Sequence, residues 1–451
     1  MANIIKKFFK IESLVASSFY LFLIFLPFGY RHLIAQFTPN FDEYESAFIY
    51  FNDFLLVLFL ALTAVYLIRR FRRGDLKIRW SWPLIFLAVF VAVGAISILF
   101  ASLKLLALYF FIRLAMVALM AVFVAMLIRE KVINFEIILA VIAALSAFEG
   151  LVSFGQFYFQ RSLGLKFLGE SVLEYSNPIV AHIWVDGARL LRAYGTFPHS
   201  NILAAFMVVG VLSFYYFLGK DAVLKIEPIG KVEKKITKEA LAAIGLFFSS
   251  LGLILSFSRS GWLAMVFSTG FVILAGIFNG EYRKKAIFLL IILAALGLVI
   301  FFAFGWAIAP RSHLSIEEPS VYYRLDYDEV ALILAESHPL GVGLGNQVIT
   351  GISEGVYQKL KIDELNWQPI HNIYLLALVE SGIFGFLAFI FFVGSLVWRK
   401  MKGFKNLDFK TIISLAIFLA LLFLGLVDHY LWDLEPGRLM FWLAVGIMLE
   451  V

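Results

Sequence analysis

Long apolar stretches separated by short polar or charged segments make up most of the chain. A helix that crosses the hydrocarbon core of a bilayer needs roughly 20 mostly apolar residues, and about twelve stretches meet that requirement. Their centres lie near Leu21, Leu58, Val91, Val117, Ile142, Val208, Leu246, Thr269, Leu293, Phe384, Leu419 and Leu443. The pattern therefore predicts an all-α polytopic membrane protein with about twelve transmembrane helices, forming a single membrane domain over residues 1–451.

Lysine and arginine residues concentrate in alternate gaps between these predicted spans. The basic clusters are Lys6 to Lys10, "RRFRRGD" from Arg69, "REK" from Arg129, the loop from Lys220 to Lys238, "EYRKK" from Glu281 and "WRKMKGFK" from Trp398. Because lysine and arginine in short loops favour the cytoplasmic side, the clusters predict cytoplasmic N- and C-termini. The other gaps then face the periplasm or exterior of a multi-pass inner (plasma) membrane protein that is surrounded by membrane lipids.

The largest outward gap, residues 309–370, is predicted to be an ordered loop rather than a linker. Its segment "SVYYRLDYDEVALILAES" has helical apolar spacing, begins after Pro319 and stops before "HPLGVGLGN". The glycines of "GVGLG", from Gly341 to Gly345, resemble a phosphate-cradling loop, but no strand precedes them. We therefore expect a turn that packs closely on the loop helix.

Composition supports the membrane assignment and excludes several kinds of chemistry. The chain is 62% hydrophobic and 16% charged, whereas soluble domains are about 45–50% apolar and about 25% charged. The absence of cysteine excludes disulfides, thiolate nucleophiles and cysteine-based metal sites. The net charge of +6 reflects topology, because the basic residues form no stripe that suggests nucleic acid.

Arginine and histidine residues stand at the outer ends of three predicted spans. Arg192 and His199 lie in "LLRAYGTFPHSNILAAF", just before the sixth span. Arg259 lies in "SFSRSG" between the seventh and eighth spans, and His371 lies in "QPIHNIYLLALVESGIFG", where the large loop re-enters the membrane. Taken alone, an arginine at a span boundary is typical of a side chain that extends to lipid headgroups. Polar groups that enter from three helix ends on one face instead favour a site.

These residue types suit glycosyl transfer from a lipid diphosphate. A guanidinium group grips phosphate through paired hydrogen bonds and stabilises the charge of a departing diphosphate. A histidine can take a proton from a sugar hydroxyl near neutral pH; His371 is the expected base and His199 the strongest alternative, whereas His182 and His338 are expected at surface or interface positions. The set predicts a transferase that needs neither a metal nor another cofactor. We identify no DxD-like pair in a soluble nucleotide-binding domain, so a nucleotide-sugar donor is not indicated.

Two ionisable residues lie inside predicted spans. Arg113 is in the fourth span, where a charge costs about 3 kcal/mol or more, so we expect a lipid diphosphate or a carboxylate such as Glu149 as its partner. Glu380 is in the tenth span and is expected to pair with a basic group or to line an internal polar pocket.

Four segments carry a resemblance to a known family. They are "RAYGTFPHSNILAAF", "LSFSRSGWLA", "YRLDYDEVALILAESHPLGVGLGNQ" and "HNIYLLALVESGIFGFLAFI". In this order they resemble the successive motifs of the O-antigen ligase and O-antigen polymerase superfamily. The resemblance implies an all-helical fold of the glycosyltransferase C type with a large helical outer loop. It also implies metal-independent transfer of an undecaprenyl-diphosphate-linked glycan on the outer face of the inner membrane.

The resemblance also assigns roles to individual residues. Arg192 and Arg259 match the arginines that engage the diphosphate, and His371 matches the catalytic histidine before an Asn-x-x-Leu pattern. Arg324 resembles the arginine that opens the loop helix, and it joins Arg113 and His199 as a candidate for binding the lipid diphosphate or substrate. The acceptor implied is lipid A core or another glycan, as in lipopolysaccharide or polysaccharide biosynthesis.

Two alternatives stay open from the sequence. An O-antigen or polysaccharide polymerase uses the same donor and differs from a ligase only in its acceptor, so the motifs do not separate the two. A secondary transporter also fits a count of twelve helices, but transporters of that kind show repeated halves. The two halves of this chain differ in loop lengths and motifs, which favours the enzyme.

Overall fold

Helices dominate the computed structural model of the chain, which describes residues 10–38, 43–75, 80–177, 180–220, 229–312 and 319–450. The helices in these ranges are α1 Ile11–Phe25, α2 Phe51–Arg72, α3 Trp82–Ser97, α4 Lys104–Arg129, α5 Phe135–Phe159, α6 Ser200–Lys220, α7 Ile229–Leu255, α8 Arg259–Phe278, α9 Arg283–Ile308, α10 Pro319–Ser337, α11 Gln347–Ser353, α12 Val356–Lys359, α13 Ile373–Met401, α14 Phe409–Leu424 and α15 Glu435–Glu450. Each of the predicted span centres lies in one of them.

Eight helices in the described ranges are long and apolar enough to cross a membrane. Three shorter apolar helices cover Ile11–Phe25, Ala240–Leu255 and Phe409–Leu424, and α15 has 16 residues. A polytopic, mostly helical membrane protein is therefore confirmed, while a count of about twelve spans stays a prediction.

Two short β-hairpins interrupt the helices, which the all-α prediction did not include. In the first, β1 (Arg31–Gln36) pairs antiparallel with β2 (Ser46–Tyr50). In the second, β3 (His182–Val185) pairs antiparallel with β4 (Ala188–Leu191). Both hairpins occupy gaps between apolar stretches, where backbone groups that are not in a helix can pair with each other instead.

The helices differ greatly in how far they are enclosed by protein. In α6, 89% of the most apolar window is buried, whereas in the window of α9 only 11% is buried. Residues Glu435 to Leu449 of α15 are all buried. The core therefore forms around α6 and α15, and α9 lies at the periphery with its apolar side chains exposed.

Two main-chain hydrogen bonds, which we call the clasp, join the 309–370 segment to α13. Gly382 has φ 67° and ψ −177° inside that helix, a backbone conformation that is essentially restricted to glycine. At the kink, backbone carbonyls of α13 are available to the neighbouring segment. Those of Val379 and Glu380 accept hydrogen bonds from the amides of Val342 and Gly343, both at 2.9 Å. This clasp fixes the end of α13 that carries the candidate site.

The loop helix predicted after Pro319 is confirmed as α10, and the "GVGLG" turn that follows it packs on further segments as well. A Cβ added at Gly341 would lie 2.5 Å from the Gly382 nitrogen, and one at Gly343 would lie 2.5 Å from the Ala101 Cβ. The turn therefore packs closely on α13 and on the segment before α4. Its Val342 also belongs to the same buried hydrophobic cluster as Val330 and Leu334 of α10.

Candidate functional site

Two histidines and an aspartate meet beside the first turn of α13. The ligating atoms of His371, Asp428 and His429 all lie within 4.8 Å of one another. The imidazole rings of His371 and His429 meet edge to face at 4.6 Å between centroids. Tyr327 of α10 stacks on the other side of His371 at 4.8 Å and 11°. The loop helix thus forms one wall of the site, and the connection between α14 and α15 forms another.

The hydrogen bonding of His371 defines its tautomer. Its Nδ1 lies 2.8 Å from the carbonyl oxygen of Pro369. Because a carbonyl only accepts, Nδ1 carries the proton, and Nε2 of the neutral ring holds a lone pair. Burial, together with the neighbouring His429, lowers the pKa of His371 to about 3. The ring is therefore neutral at pH 7, and the Nε2 lone pair is not occupied by a proton.

His429 has the opposite electrostatic character. Its Nδ1 lies 2.8 Å from both carboxylate oxygens of Asp433. Burial disfavours the charged ring, but the carboxylates of Asp433 and Asp428 more than offset it and raise the pKa of His429. Two adjacent imidazoles therefore favour different protonation states, which is an arrangement typical of sites that move protons.

Asp428 joins the histidines to the Arg192 segment. Its carboxylate accepts hydrogen bonds from the His429 amide at 2.9 Å and from Asn201 Nδ2 at 2.8 Å, and Arg324 Nη2 lies 3.8 Å away. Burial by itself raises the pKa of Asp428, but the neighbouring imidazoles and the Arg324 guanidinium lower it to about 2. The carboxylate is therefore ionised and balances the positive charge around it.

Arg192 is buried at the end of β4. Its Nε donates to the carbonyl of Ser256 at 2.7 Å, and its Nη2 donates to Asn201 Oδ1 at 2.8 Å. A continuous chain of hydrogen bonds thus runs from Arg192 through Asn201 to Asp428. Burial, with the nearby positive charges of Arg311 and Arg324, lowers the pKa of Arg192 to about 9, so the guanidinium keeps its charge at neutral pH.

The "SFSRSG" turn contacts this site through its backbone. The Ser256 carbonyl accepts from Arg192, and Phe257 next to it has φ 47°, a left-handed conformation that is uncommon for a bulky residue. Ser258 then caps α8, whose first residue is Arg259. Arg259 is partly buried and lies three residues after the carbonyl that holds Arg192.

Arg324 and His199 complete the group. Arg324 Nε donates to the Val427 carbonyl at 2.8 Å, which ties α10 to the connection that carries Asp428. His199 Nδ1 accepts from the Asn201 amide at 3.1 Å, so its proton is on Nε2. Burial, with the Arg192 charge, lowers the pKa of His199 to about 4. The structure therefore brings together four of the predicted site residues, Arg192, His199, Arg324 and His371, with the turn that leads to Arg259.

Arg113 lies in a separate buried ion cluster. Its guanidinium binds both carboxylate oxygens of Asp53, at 2.6 and 2.7 Å, and Glu435 at 2.9 Å. Glu435 also pairs with Arg438. A carboxylate partner is thus confirmed, although it is not the expected Glu149.

Glu149 and Glu380 accept hydrogen bonds from neutral donors. Glu149 accepts from the amide and hydroxyl of Thr196, at 2.8 and 2.6 Å. Glu380 accepts from Trp432 Nε1 at 2.7 Å and lines a small internal cavity. Of the two roles expected for Glu380, lining a pocket fits the structure, but among the described residues, apart from Glu380 and Arg438, the lining is apolar or aromatic.

We expect Arg113→Met to destabilise the protein strongly. The change leaves Asp53 buried without its main partner, and breaking a buried ion pair costs about 3–5 kcal/mol. The thermal midpoint of the purified protein in detergent measures the effect, with exposed Lys104→Met on the same helix as the control. The double change Arg113→Met and Asp53→Leu should recover much of the loss, and equal midpoints for Arg113→Met and the wild type would contradict this assignment.

Asp428, His429 and Asn201 were not among the residues predicted from the sequence. A signal for the first two exists in "DHYLWD", where titratable residues interrupt two apolar stretches. The segment is recognisable as a polar gap, but chain position does not reveal that it folds against His371. Asn201 has no comparable signal, because a single amide at a helix start is common.

The donor set of His371, Asp428 and His429 is of a kind that can bind a divalent cation. Each imidazole has its Nδ1 engaged, by the Pro369 carbonyl and by Asp433, as in many metal centres. The Asp428 carboxylate already accepts a hydrogen bond from Asn201, and it lies 3.8 Å from the Arg324 guanidinium. That positive charge works against cation binding, and it favours an anionic ligand instead.

Comparison with known proteins places the chain in a functional context. Residues 244–390 match the family model described as O-antigen ligase, a stretch that includes Arg259, Arg324 and His371. No curated protein matches the chain. Three of the four motif segments lie in this stretch, whereas the segment from Arg192 to Phe206 lies before it. The resemblance to the O-antigen ligase superfamily is thereby confirmed over residues 244–390.

Proposed function

We propose that the protein transfers a glycan from an undecaprenyl-diphosphate carrier to an acceptor hydroxyl, as an O-antigen ligase does. Its family domain indicates a membrane glycosyltransferase-like enzyme that acts on polysaccharide, with a lipid-linked glycan and a glycan acceptor as general partners. The observation that carries the finer proposal is the neutral His371, with Nδ1 held by Pro369, beside the chain from Arg192 to Asp428. The proposed base and the proposed phosphate-binding cation are thus connected through Asp428 and Asn201.

In the proposed reaction, Nε2 of His371 takes the proton of the acceptor hydroxyl. The acceptor oxygen forms a bond to the anomeric carbon of the donor sugar, and the bond between that carbon and the diphosphate oxygen breaks. The diphosphate leaves with the bonding electrons, and Arg192 and Arg259 stabilise its charge. The proton on His371 then passes to the diphosphate or to solvent, which restores the base.

The remaining polar residues support these roles. Asp428 orients Asn201, and through it the Nη2 of Arg192. The charge on His429, favoured by Asp433, disfavours protonation of His371 at 4.6 Å. Arg324 and His199 add to the positive field that attracts the diphosphate. Arg113, held by Asp53 and Glu435, would act on this site by fixing the helices around it.

The proposed fold type, span count and orientation are those expected from the sequence. We propose a single domain of the glycosyltransferase C type with about twelve spans in the inner membrane, with both termini in the cytoplasm. The 309–370 loop and the site would face the periplasm or exterior, where a flipped lipid-linked glycan is available. The charge asymmetry between alternate gaps supports this orientation.

A transfer assay with the purified full chain tests the proposal. The donor is an undecaprenyl-diphosphate oligosaccharide, offered with lipid A core in one reaction and with a second copy of the oligosaccharide in another. We expect glycan on the lipid A core, and equal rates with and without a chelator, since cationic side chains can stabilise the leaving group alone. Extension of the oligosaccharide instead would identify a polymerase. No product with either acceptor would contradict glycosyl transfer, and loss of activity with chelator would contradict the metal-independent mechanism.

A further inference from the structure

A basic pocket lies at the opposite end of the helix bundle from His371. It is formed where α3 begins and where α4, α13 and α15 end, and its volume is about 390 Å³. That volume is within the roughly 300–1,000 Å³ of small-molecule sites. Since α13 and α15 begin beside the candidate functional site and end here, the pocket belongs to the other face of the membrane domain. It is therefore a second site.

Two arginines give the pocket its positive charge. Arg129 and Arg399 line it together with Glu450, and among the residues that the structure describes the rest of the lining is uncharged, so this part of the lining carries one net positive charge. Arg129 Nε pairs with Glu450 at 3.0 Å. Arg399 Nη2 donates to the carbonyls of Met448 and Leu449 at 3.0 and 2.5 Å. These bonds hold the guanidinium groups in place at the end of α15.

The arginines retain unused donor capacity. A guanidinium group has five N–H donors, and the bonds above use one donor of Arg129 and two of Arg399. The first turn of α3 also faces the pocket, and the Ser81 side chain at its N-cap makes no capping hydrogen bond. The amides of a helix N-terminus favour anions. The arginines and the helix N-terminus thus both favour a negatively charged ligand that accepts hydrogen bonds.

Exposed tryptophans mark the same level of the bundle. Trp80 lines the pocket, Trp82 begins α3, and Trp398 precedes Arg399; their exposed fractions are 73%, 69% and 68%. Tryptophan is enriched where hydrocarbon meets the lipid headgroups. The anion that reaches this pocket from the bilayer is therefore the phosphodiester of a headgroup.

We propose that this pocket binds the headgroup of an anionic glycerophospholipid. The phosphate would accept from the guanidinium groups of Arg129 and Arg399 that line the pocket, and the acyl chains would run along the exposed apolar side chains of α3. The proposal is independent of glycosyl transfer, because it concerns other residues at the other end of the helices.

Native mass spectrometry of the delipidated full chain tests the proposal. We expect phosphatidylglycerol to bind more tightly than phosphatidylcholine, and Arg129→Gln or Arg399→Gln to weaken it roughly tenfold, through loss of a charge-assisted hydrogen bond. Glu450→Gln should strengthen binding, because it removes the carboxylate that competes for Arg129. The control is Arg73→Gln, which changes an exposed arginine outside the pocket. Arg73 lies at the same end of the bundle, because nearby Arg70 pairs with Glu130, the residue next to Arg129.

Three results would overturn the proposal. Equal binding of the two lipids would show that charge is not recognised. Unchanged phosphatidylglycerol binding by both Arg129→Gln and Arg399→Gln would remove the pocket from the interaction. Displacement of the lipid by an equal concentration of inorganic phosphate would indicate a site for the free ion rather than for a headgroup. Because Arg129→Gln leaves the Arg399 contacts to α15 intact, at least one variant should fold normally.

Discussion

Replacing His371 by alanine or glutamine is expected to lower the rate of glycan transfer by about 10²–10⁴-fold, the usual cost of removing a general base. The donor should still bind, because Arg192 and its partners are untouched. The assay is transfer from a lipid-diphosphate glycan by purified variants, with donor binding measured separately. His338→Ala is the matched control, since that histidine pairs with Glu354 at the surface of the same loop and should transfer at the wild-type rate.

The pH dependence gives a second readout for His371. Its pKa is lowered to about 3 by burial and by His429, and it also faces Asp428, Arg324 and Tyr327. A base with a lowered pKa stays unprotonated as the pH falls, so activity limited by His371 should persist below pH 6.5 and decline only as the pH approaches that pKa. A transfer rate in His371→Ala equal to that of the wild type would make the residue structural and contradict its role as the base.

Arg192→Lys is expected to reduce transfer by about 10²–10³-fold, the range found when one preorganised donor to a developing anion is lost. Lysine keeps the charge, but it cannot donate to Ser256 and Asn201 at once and still offer a planar pair of donors to a diphosphate. Arg259→Lys tests the neighbouring arginine in the same way. The loss should appear in kcat and in donor affinity, with little change in the thermal midpoint.

The matched control for Arg192→Lys is Arg189→Lys on the same hairpin. Arg189 Nη2 contacts the Asn177 carbonyl and His182 Nδ1, at 3.3 and 2.8 Å, away from the Asp428 group. Its replacement should leave transfer close to the wild-type rate. Near-normal activity in both Arg192→Lys and Arg259→Lys would contradict a role in binding the diphosphate and would leave Arg192 as a buried structural link between β4, Ser256 and Asn201.

The helices could be predicted from the sequence, because twenty apolar residues in a row leave the backbone few ways to satisfy its hydrogen bonds in a membrane. The loop helix was equally predictable, since Pro319 and "HPLG" delimit its apolar spacing. The hairpins were not, because strands of four to six residues in polar gaps carry little periodicity. The Gly382 kink could not be predicted either, because one glycine in an apolar run has several common explanations.

The site was predictable in its residue types more than in its contacts. Arginine and histidine at the ends of apolar stretches are conspicuous, so Arg192 and His371 could be identified along the chain. Their partners could not, since Asn201, Asp428 and His429 become neighbours only through the packing of α6, α14 and α15. Arg113 illustrates the limit: a buried charge predicts a carboxylate, but several carboxylates were within conceivable reach, and the tertiary fold selects Asp53.

The clasp between the "GVGLG" turn and α13 has a consequence for tolerance to mutation. Because it joins two main chains, the hydrogen bonds from Val342 and Gly343 do not depend on which side chain position 342 carries. At Gly341 and Gly382, by contrast, an added Cβ would lie 2.4–2.6 Å from backbone atoms of the other segment, which no rotamer change can relieve. The hydrogen bonds of the junction therefore place no requirement on side-chain chemistry, whereas the contact itself excludes any side chain where the two backbones touch.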